Sequence, residues 1–370
     1  MSVSPSRPTL LWIQALRALA ALAVVVAHTH AETGWFAVYQ HKPDVLPSFV
    51  TGAAGVDLFF VISGFVMVYA SEGLFGSPAG ARTFLLRRLL RIVPLYWLVI
   101  AATLIMWQHL GVSWEQQRLT WSDIPPSMFF YAWPHYMGGS HDPIVTQSWS
   151  LNYEMFFYFV FAIAVLLRPR VAILGTAIAL FLFGRYSAFL PFSLPFLLQV
   201  FANQNLWEFA LGLMIGFAFR EGLRAPKMVG IALMATGLGV MIAMSFGSTN
   251  PDRFTFWGLS SALIVCGAVM MPNPSLASTP WRVAALLGDS SYAIYLTHGL
   301  TMPYFRMGWA TTATWLSQWP WLYAIFIVIA SVVVGCIVHV AIERPITSRL
   351  KKLVLHLRGS GPVAALAPAT

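Results

Sequence analysis

Residues 10–30 read LLWIQALRALAALAVVVAHTH, and this stretch decides the fold class. Its only permanent charge is Arg17. A helix of roughly 20 apolar residues matches the hydrocarbon thickness of a bilayer, so the stretch reads as a membrane span. Working outward, nine further stretches have the same character: about 53–71, 92–109, 150–167, 170–190, 205–219, 228–247, 254–271, 284–305 and 321–342. Pro191 and Pro195 break the chain between the fifth and the sixth. The segment 124–137, IPPSMFFYAWPHYM, is too short and proline-rich to cross. It reads as interfacial or re-entrant, with its aromatic residues at headgroup depth. The expected architecture is an all-α polytopic bundle of about ten transmembrane helices. Residues 1–9 form a cytoplasmic N-terminus, 10–345 the membrane domain, and 346–370 a disordered cytoplasmic tail.

Composition agrees. The 370 residues are 58% hydrophobic and 9% charged, with mean hydropathy +0.71; soluble domains carry about 25% charged residues. A soluble enzyme and a disordered chain are thereby excluded. A β-barrel is disfavoured because its strands alternate polar and apolar residues, and these runs do not. Cys266 and Cys336 both lie in apolar runs and form neither a disulfide framework nor a metal-ligand spacing.

The net charge of +9 follows from topology and needs no nucleic acid. With the N-terminus inside, only Lys42, Arg118, Arg185, Arg253 and Arg306 fall outside, Arg17 lies within the first span, and the other sixteen Lys and Arg are cytoplasmic. That asymmetry is the positive-inside rule, with both termini cytoplasmic. Arg17 also interrupts the first span too strongly for a cleavable signal peptide.

Ionisable groups in spans are costly, so each is a functional candidate. Arg17 and His28 are eleven residues apart, which puts them about 20° from one helix face and about 16 Å apart along the axis. Span counting places His28, Asp57, Glu154, Glu208 and His298 at one outer depth, in five different spans. This predicts a polar chamber open to the outer face. At the inner boundary, Arg87, Arg88 and Arg91 open the third span. Arg88 and Arg91 share a helix face, and two guanidiniums there suit a phosphate group. On pattern alone they also serve as topology anchors that snorkel to lipid headgroups. Asp57 also reads as a helix cap, Glu208 as a partner for Asn203 or Asn205, and His339 with Glu343 as a structural pair. No phosphate-binding glycine loop, nucleophile elbow, HExxH or CxxC motif is present.

Six elements in order carry a resemblance: LRALAALAVVVAH (16–28), GVDLFFVISGF (55–65), RRLLRIVPLYW (87–97), QSWSLNYEMFFY (147–158), LGDSSYAIYLTHG (287–299) and IERP (342–345). Together they resemble the acyltransferase family 3 membrane proteins, and the exopolysaccharide O-acetyltransferase subgroup in particular. The resemblance implies that His28 is the essential histidine, with Arg17 its basic companion. It implies that Arg88 and Arg91, with Arg87 beside them, bind an acyl-CoA donor such as acetyl-CoA, and that Glu154 is the acidic motif residue. Asp57 joins the catalytic set, while His298, Trp149, Asn152 and Tyr153 are expected to meet the substrate. A neutral histidine can take the proton of a sugar hydroxyl as it attacks a thioester, with Glu154 or Asp57 fixing its tautomer. The expected acceptor is a lipid-linked or surface saccharide at the bacterial inner membrane, with membrane lipid and polysaccharide-assembly proteins as surroundings. No metal is implied. A transporter or flippase of lipid-linked saccharides, relaying protons through the same groups, is the alternative; release of CoA from acetyl-CoA by the purified protein discriminates the two.

Overall fold

A computed structural model describes residues 8–39, 50–109, 111, 120–131, 143–187, 196–247, 252–312 and 319–357. They are helical with no strand among them. In chain order the helices are α1 (Leu11–Tyr39), α2 (Ala54–Ala70), α3 (Pro78–His109), α4 (Ile124–Met128), α5 (Trp149–Ala164), α6 (Pro169–Tyr186), α7 (Phe196–Phe201) and α8 (Asn205–Arg220). They continue with α9 (Lys227–Gly247), α10 (Leu259–Met270), α11 (Thr279–Thr312), α12 (Pro320–Val338) and α13 (Arg344–Leu357). Among the described residues, each of the ten stretches read from sequence overlaps a helix. Among the described residues, five helical segments are long and apolar enough to cross a bilayer: Leu11–Gly34, Pro78–His109, Pro169–Tyr186, Lys227–Met244 and Pro320–Val354. Shorter apolar helices cover Ala54–Ala70 and Phe254–Met270. The chain is therefore a multi-pass helical membrane protein.

Helices surrounded by lipid gain nothing from hiding apolar surface against each other, so close backbone packing holds them together. Ile105, Ile163, Ile178 and Ile329 point outward, as a lipid-facing wall requires. Inside, α2 crosses α8 where Gly64 meets Gly212. A Cβ on Gly64 would stand 2.3 Å from the Phe209 carbonyl, and one on Gly212 would stand 2.1 Å from that of Val61. Phe60 and Phe157 pack on Phe209 beside this crossing, each with ring centroids 4.5 Å away.

α1 and α11 run side by side in the same direction. Gln14 lies by Gly288, His28 by His298, and Glu32 by Arg306. The register depends on Gly288, whose Cβ would sit 2.3 Å from the Gln14 carbonyl. Gly288→Leu is therefore expected to drive α11 off α1, lower the melting midpoint of the purified protein by several degrees and reduce its activity. Gly175→Ala, with open space at its Cβ, leaves both unchanged. Wild-type melting of the Gly288→Leu protein would show that the contact does not set the register.

One feature differs from the sequence expectation. Residues 346–357, assigned to a disordered tail, continue the helical rod of α12 as α13. A π-helical turn at His339–Glu343 joins them, just before Pro345, which has no N–H for the carbonyl four residues back. The tail beyond residue 357 lies outside the described residues. Of the segment 124–137, the part to 131 is described; Phe130 stacks on Tyr96 at 4.7 Å and is buried. Its remainder also lies outside the described residues.

Candidate active site

The five groups placed at one depth by span counting separate into three clusters. The reason is where the helices begin. α2 starts opposite the middle of α1, since a Cβ on Gly55 would touch the Ala20 carbonyl and Val24. α2 then descends antiparallel until Tyr69 donates to the Pro8 carbonyl at 2.8 Å. Asp57 thus lies about one to two helical turns from the level of His28.

The first cluster is built by α1, α11 and the turn Thr146–Ser148. His28 and His298 pack edge to face with ring centroids 4.9 Å apart. His28 Nδ1 donates to the Val24 carbonyl at 2.9 Å. A carbonyl can only accept, so this bond fixes the tautomer and leaves the Nε2 lone pair available. Among the described residues no carboxylate performs this task, contrary to the expectation for Glu154 or Asp57. The helix itself supplies the acceptor four residues back. His28 is exposed, as a base that meets a substrate must be, while His298 is buried. His298 Nδ1 lies 3.3 Å from the Ile294 carbonyl, and its Nε2 meets no partner. Tyr295, 5.9 Å from the His298 ring, bonds Ser150 at 2.8 Å and donates to the Gln147 carbonyl. Gln147 Nε2 donates to the Leu296 carbonyl at 2.9 Å, across the gap that Gly299 leaves open.

The second cluster centres on Glu154. It accepts from Tyr158 and, at 3.2 Å, from Ser63 in the middle of α2. Arg88 lies with its guanidinium 5.7 Å from the rings of Phe84 and Tyr158. Arg88 and Arg17 both lie within electrostatic reach of Glu154. Arg17 donates to Gln14 at 3.2 Å, and Gln14 Nε2 donates to Asp289 at 2.7 Å. Asp289 thereby holds Arg17 in place through a buried amide. Arg91 and Glu343 also lie within reach of Arg17, and Glu343 is bonded to His339 at 2.8 Å. Glu154 therefore belongs to the level of Arg17 and Arg88, and not to that of His28. Tyr295, which lies beside the His298 ring, is also within electrostatic reach of Glu154.

The third cluster is lateral. Arg253 makes a bidentate pair with Asp57, Nε to Oδ1 at 3.0 Å and Nη2 to Oδ2 at 2.8 Å. The Glu208 carboxyl lies beside the same carboxylate. Both carboxyls are buried, and the guanidinium lies 5.8 Å from the Trp149 ring and 5.2 Å from the Trp257 ring. Asp57 is thus a partner of Arg253 and not of His28. Tyr153 ties α5 to the α7 region, donating to the Val200 carbonyl at 2.8 Å and accepting from Asn203. Asn152 is buried with Oδ1 unpartnered. Removing one partner of a buried pair costs about 3–5 kcal/mol, and less where one member is wet. Arg253 retains 32% side-chain exposure, so Asp57→Asn is expected to cost about 2 kcal/mol, read as a lower melting midpoint. The double change with Arg253→Gln should add little further loss. Additive losses would show that the pair is not coupled.

Gln14, Ser63, Gln147, Tyr158, Arg253, Asp289 and Tyr295 were not singled out from sequence. All but Gln14 and Arg253 lie inside the quoted motifs, where their polarity within apolar runs is a usable signal. Arg253 has no such signal; its partner is 196 residues away. Among the described residues no group of three or more His, Cys, Asp or Glu could hold a metal ion.

The site is thus a histidine pair, His28 with His298, and a separate arginine cluster around Glu154, set in a multi-pass membrane bundle. The chain belongs to the acyltransferase family whose shared unit is described as an acyltransferase domain, matched over residues 10–340. It is 32% identical over 310 residues to the exopolysaccharide production protein ExoZ of Rhizobium meliloti (strain 1021), covering 81% of this chain and 91% of that one. It is 26% identical over 363 residues to the acyltransferase MdmB of Streptomyces mycarofaciens, covering 89% of each. No solved structure matches the chain.

Proposed function

We propose that this acyltransferase moves an acyl group, acetyl first among the candidates, from acyl-CoA at the cytoplasmic face to a hydroxyl of an exopolysaccharide or other cell-surface sugar carried on a lipid anchor. The observation that carries this reading is the pair His28 and His298 in one bundle with the Arg17, Arg88 and Glu154 cluster; Tyr158 and Tyr295 line the polar path proposed between them. The similarity to an exopolysaccharide production protein supports the saccharide acceptor. Ten spans with both ends cytoplasmic, in the bacterial inner membrane, complete the picture; the shared direction of α1 and α11 supports that parity.

The arginines suit the phosphates of CoA, which cannot enter lipid. The pantetheine arm then follows the polar path and brings the thioester to His28. The neutral Nε2 of His28 takes the hydroxyl proton as the sugar oxygen bonds to the carbonyl carbon. The tetrahedral adduct collapses, the C–S bond breaks, and the departing thiolate takes the proton back to give CoA. His298 and Trp149 are assigned to the acceptor, with Asn152 beside them and Tyr153 shaping that wall. Mass spectrometry of surface glycan from cells with and without the gene tests the reading. Loss of an acyl mass increment on one sugar is expected; an unchanged acylation pattern contradicts it.

A further inference from the structure

We infer that α3 and α13 together form a phosphate-binding site in which Lys351 is an additional cation, deepening the donor reading of Arg88 and Arg91, on which it rests. Glu343, Ile346, Thr347, Leu350, Lys351 and Val354 are among the less exposed residues of α13 and the turn before it and form a helical stripe that packs toward α3. Arg344, Arg349 and Lys352 lie on the exposed side, where lysine and arginine normally snorkel. Lys351 is the exception: it lies on the packed side, within electrostatic reach of Arg91, Arg87 and Arg88. The docking is specific. Pro94 inside α3 has no N–H to give the Leu90 carbonyl. The Thr347 hydroxyl, one turn before Lys351, reaches that freed carbonyl at 3.5 Å.

Like charges brought together by packing repel strongly away from bulk water, so this arrangement calls for an anion between the two helices. Glu154, within reach of Arg88, sets one negative charge against the four cations Arg87, Arg88, Arg91 and Lys351, and it also accepts from Tyr158 and Ser63. The Nε of Arg88 is buried and meets no acceptor among the described residues. A phosphomonoester or diphosphate supplies the charge and the oxygen acceptors such a cluster takes. That phosphate can come from a nucleotide donor or from a lipid headgroup.

The test uses the full chain in nanodiscs of phosphatidylcholine, titrated calorimetrically with adenosine 3′,5′-bisphosphate and with CoA. Lys351→Gln is expected to weaken bisphosphate binding about tenfold or more. Lys351→Arg should keep most of the affinity, and Lys352→Gln, on the exposed side, should change nothing. Adding phosphatidylglycerol separates the sources. If headgroups occupy the site, that lipid weakens bisphosphate binding to the wild type and not to Lys351→Gln. If nucleotide phosphate is the occupant, the lipid has no effect. Equal binding by wild type and Lys351→Gln in both disc types, or no saturable binding at all, overturns the site. Loss of CoA binding in Arg88→Gln without loss in Lys351→Gln keeps the donor reading and rejects this one. Lys351-dependent bisphosphate binding with no CoA preference and no thioester consumption does the reverse.

Discussion

His28→Ala is expected to lower acyl transfer by about 10³-fold, within the range of about 10²–10⁴ that a positioned general base contributes, while the protein inserts and melts as the wild type does. The basis is local. His28 lies on an intact turn of α1, its Nδ1 proton is held by the Val24 carbonyl, and its side chain is exposed, so removing it opens no buried cavity. His28→Gln should be nearly as inactive, because an amide offers no lone pair of comparable basicity. The same change should leave CoA binding intact, since the cationic cluster is elsewhere on the path. Acylation of product near the wild-type rate in either variant would reject the assignment. His298→Ala, in contrast, removes a buried ring packed on His28 and is expected to lower stability as well as rate.

Replacing Arg88 and Arg91 together by Gln should weaken CoA binding by at least about a hundredfold, since charge-assisted bonds are worth about 1.5–3 kcal/mol each. Arg88 is the more consequential of the two. It packs on Phe84 and Tyr158 and faces Glu154, so its loss removes one of the two cations, with Arg17, near that carboxylate. Arg88→Gln alone should therefore lower the melting midpoint, whereas Arg91→Gln should act mainly on affinity. Unchanged CoA affinity in the correctly inserted double variant would return both residues to the role of topology anchors.

The helices were legible in the sequence because length and apolarity are summed over about 20 residues, and no single position decides them. Depth was not legible, because span counting assumes that every helix starts at the membrane surface. α2 begins opposite Ala20 and Val24, and α5 begins at Trp149 close to Phe60, so Asp57 and Glu154 are set inward of the positions that counting assigns. The tautomer-fixing partner of His28 was sought among carboxylates, whereas any helical histidine has a backbone carbonyl four residues back. The pair of Asp57 with Arg253 joins distant segments without a motif. α13 was hidden because its many charges and its proximity to the chain end read as a disordered tail; its stripe from Ile346 to Val354 was present in the letters but short. Arg17, His28, Arg88 and Glu154 were legible because a charge or an imidazole inside an apolar run is expensive.

In the proposed reaction the donor enters at one membrane face and the acceptor meets His28 from the other. Proteoliposomes of defined orientation, carrying a lipid-linked saccharide and given radiolabelled acetyl-CoA on one side only, test this most directly. Orientation is fixed by labelling a cysteine at Ser77 with an impermeant thiol reagent in a background lacking Cys266 and Cys336. Transfer of label to the saccharide is predicted only when acetyl-CoA is on the side where the Ser77 position labels. Transfer only from the opposite side, or equally from both, would contradict a transmembrane donor path from Arg88 to His28.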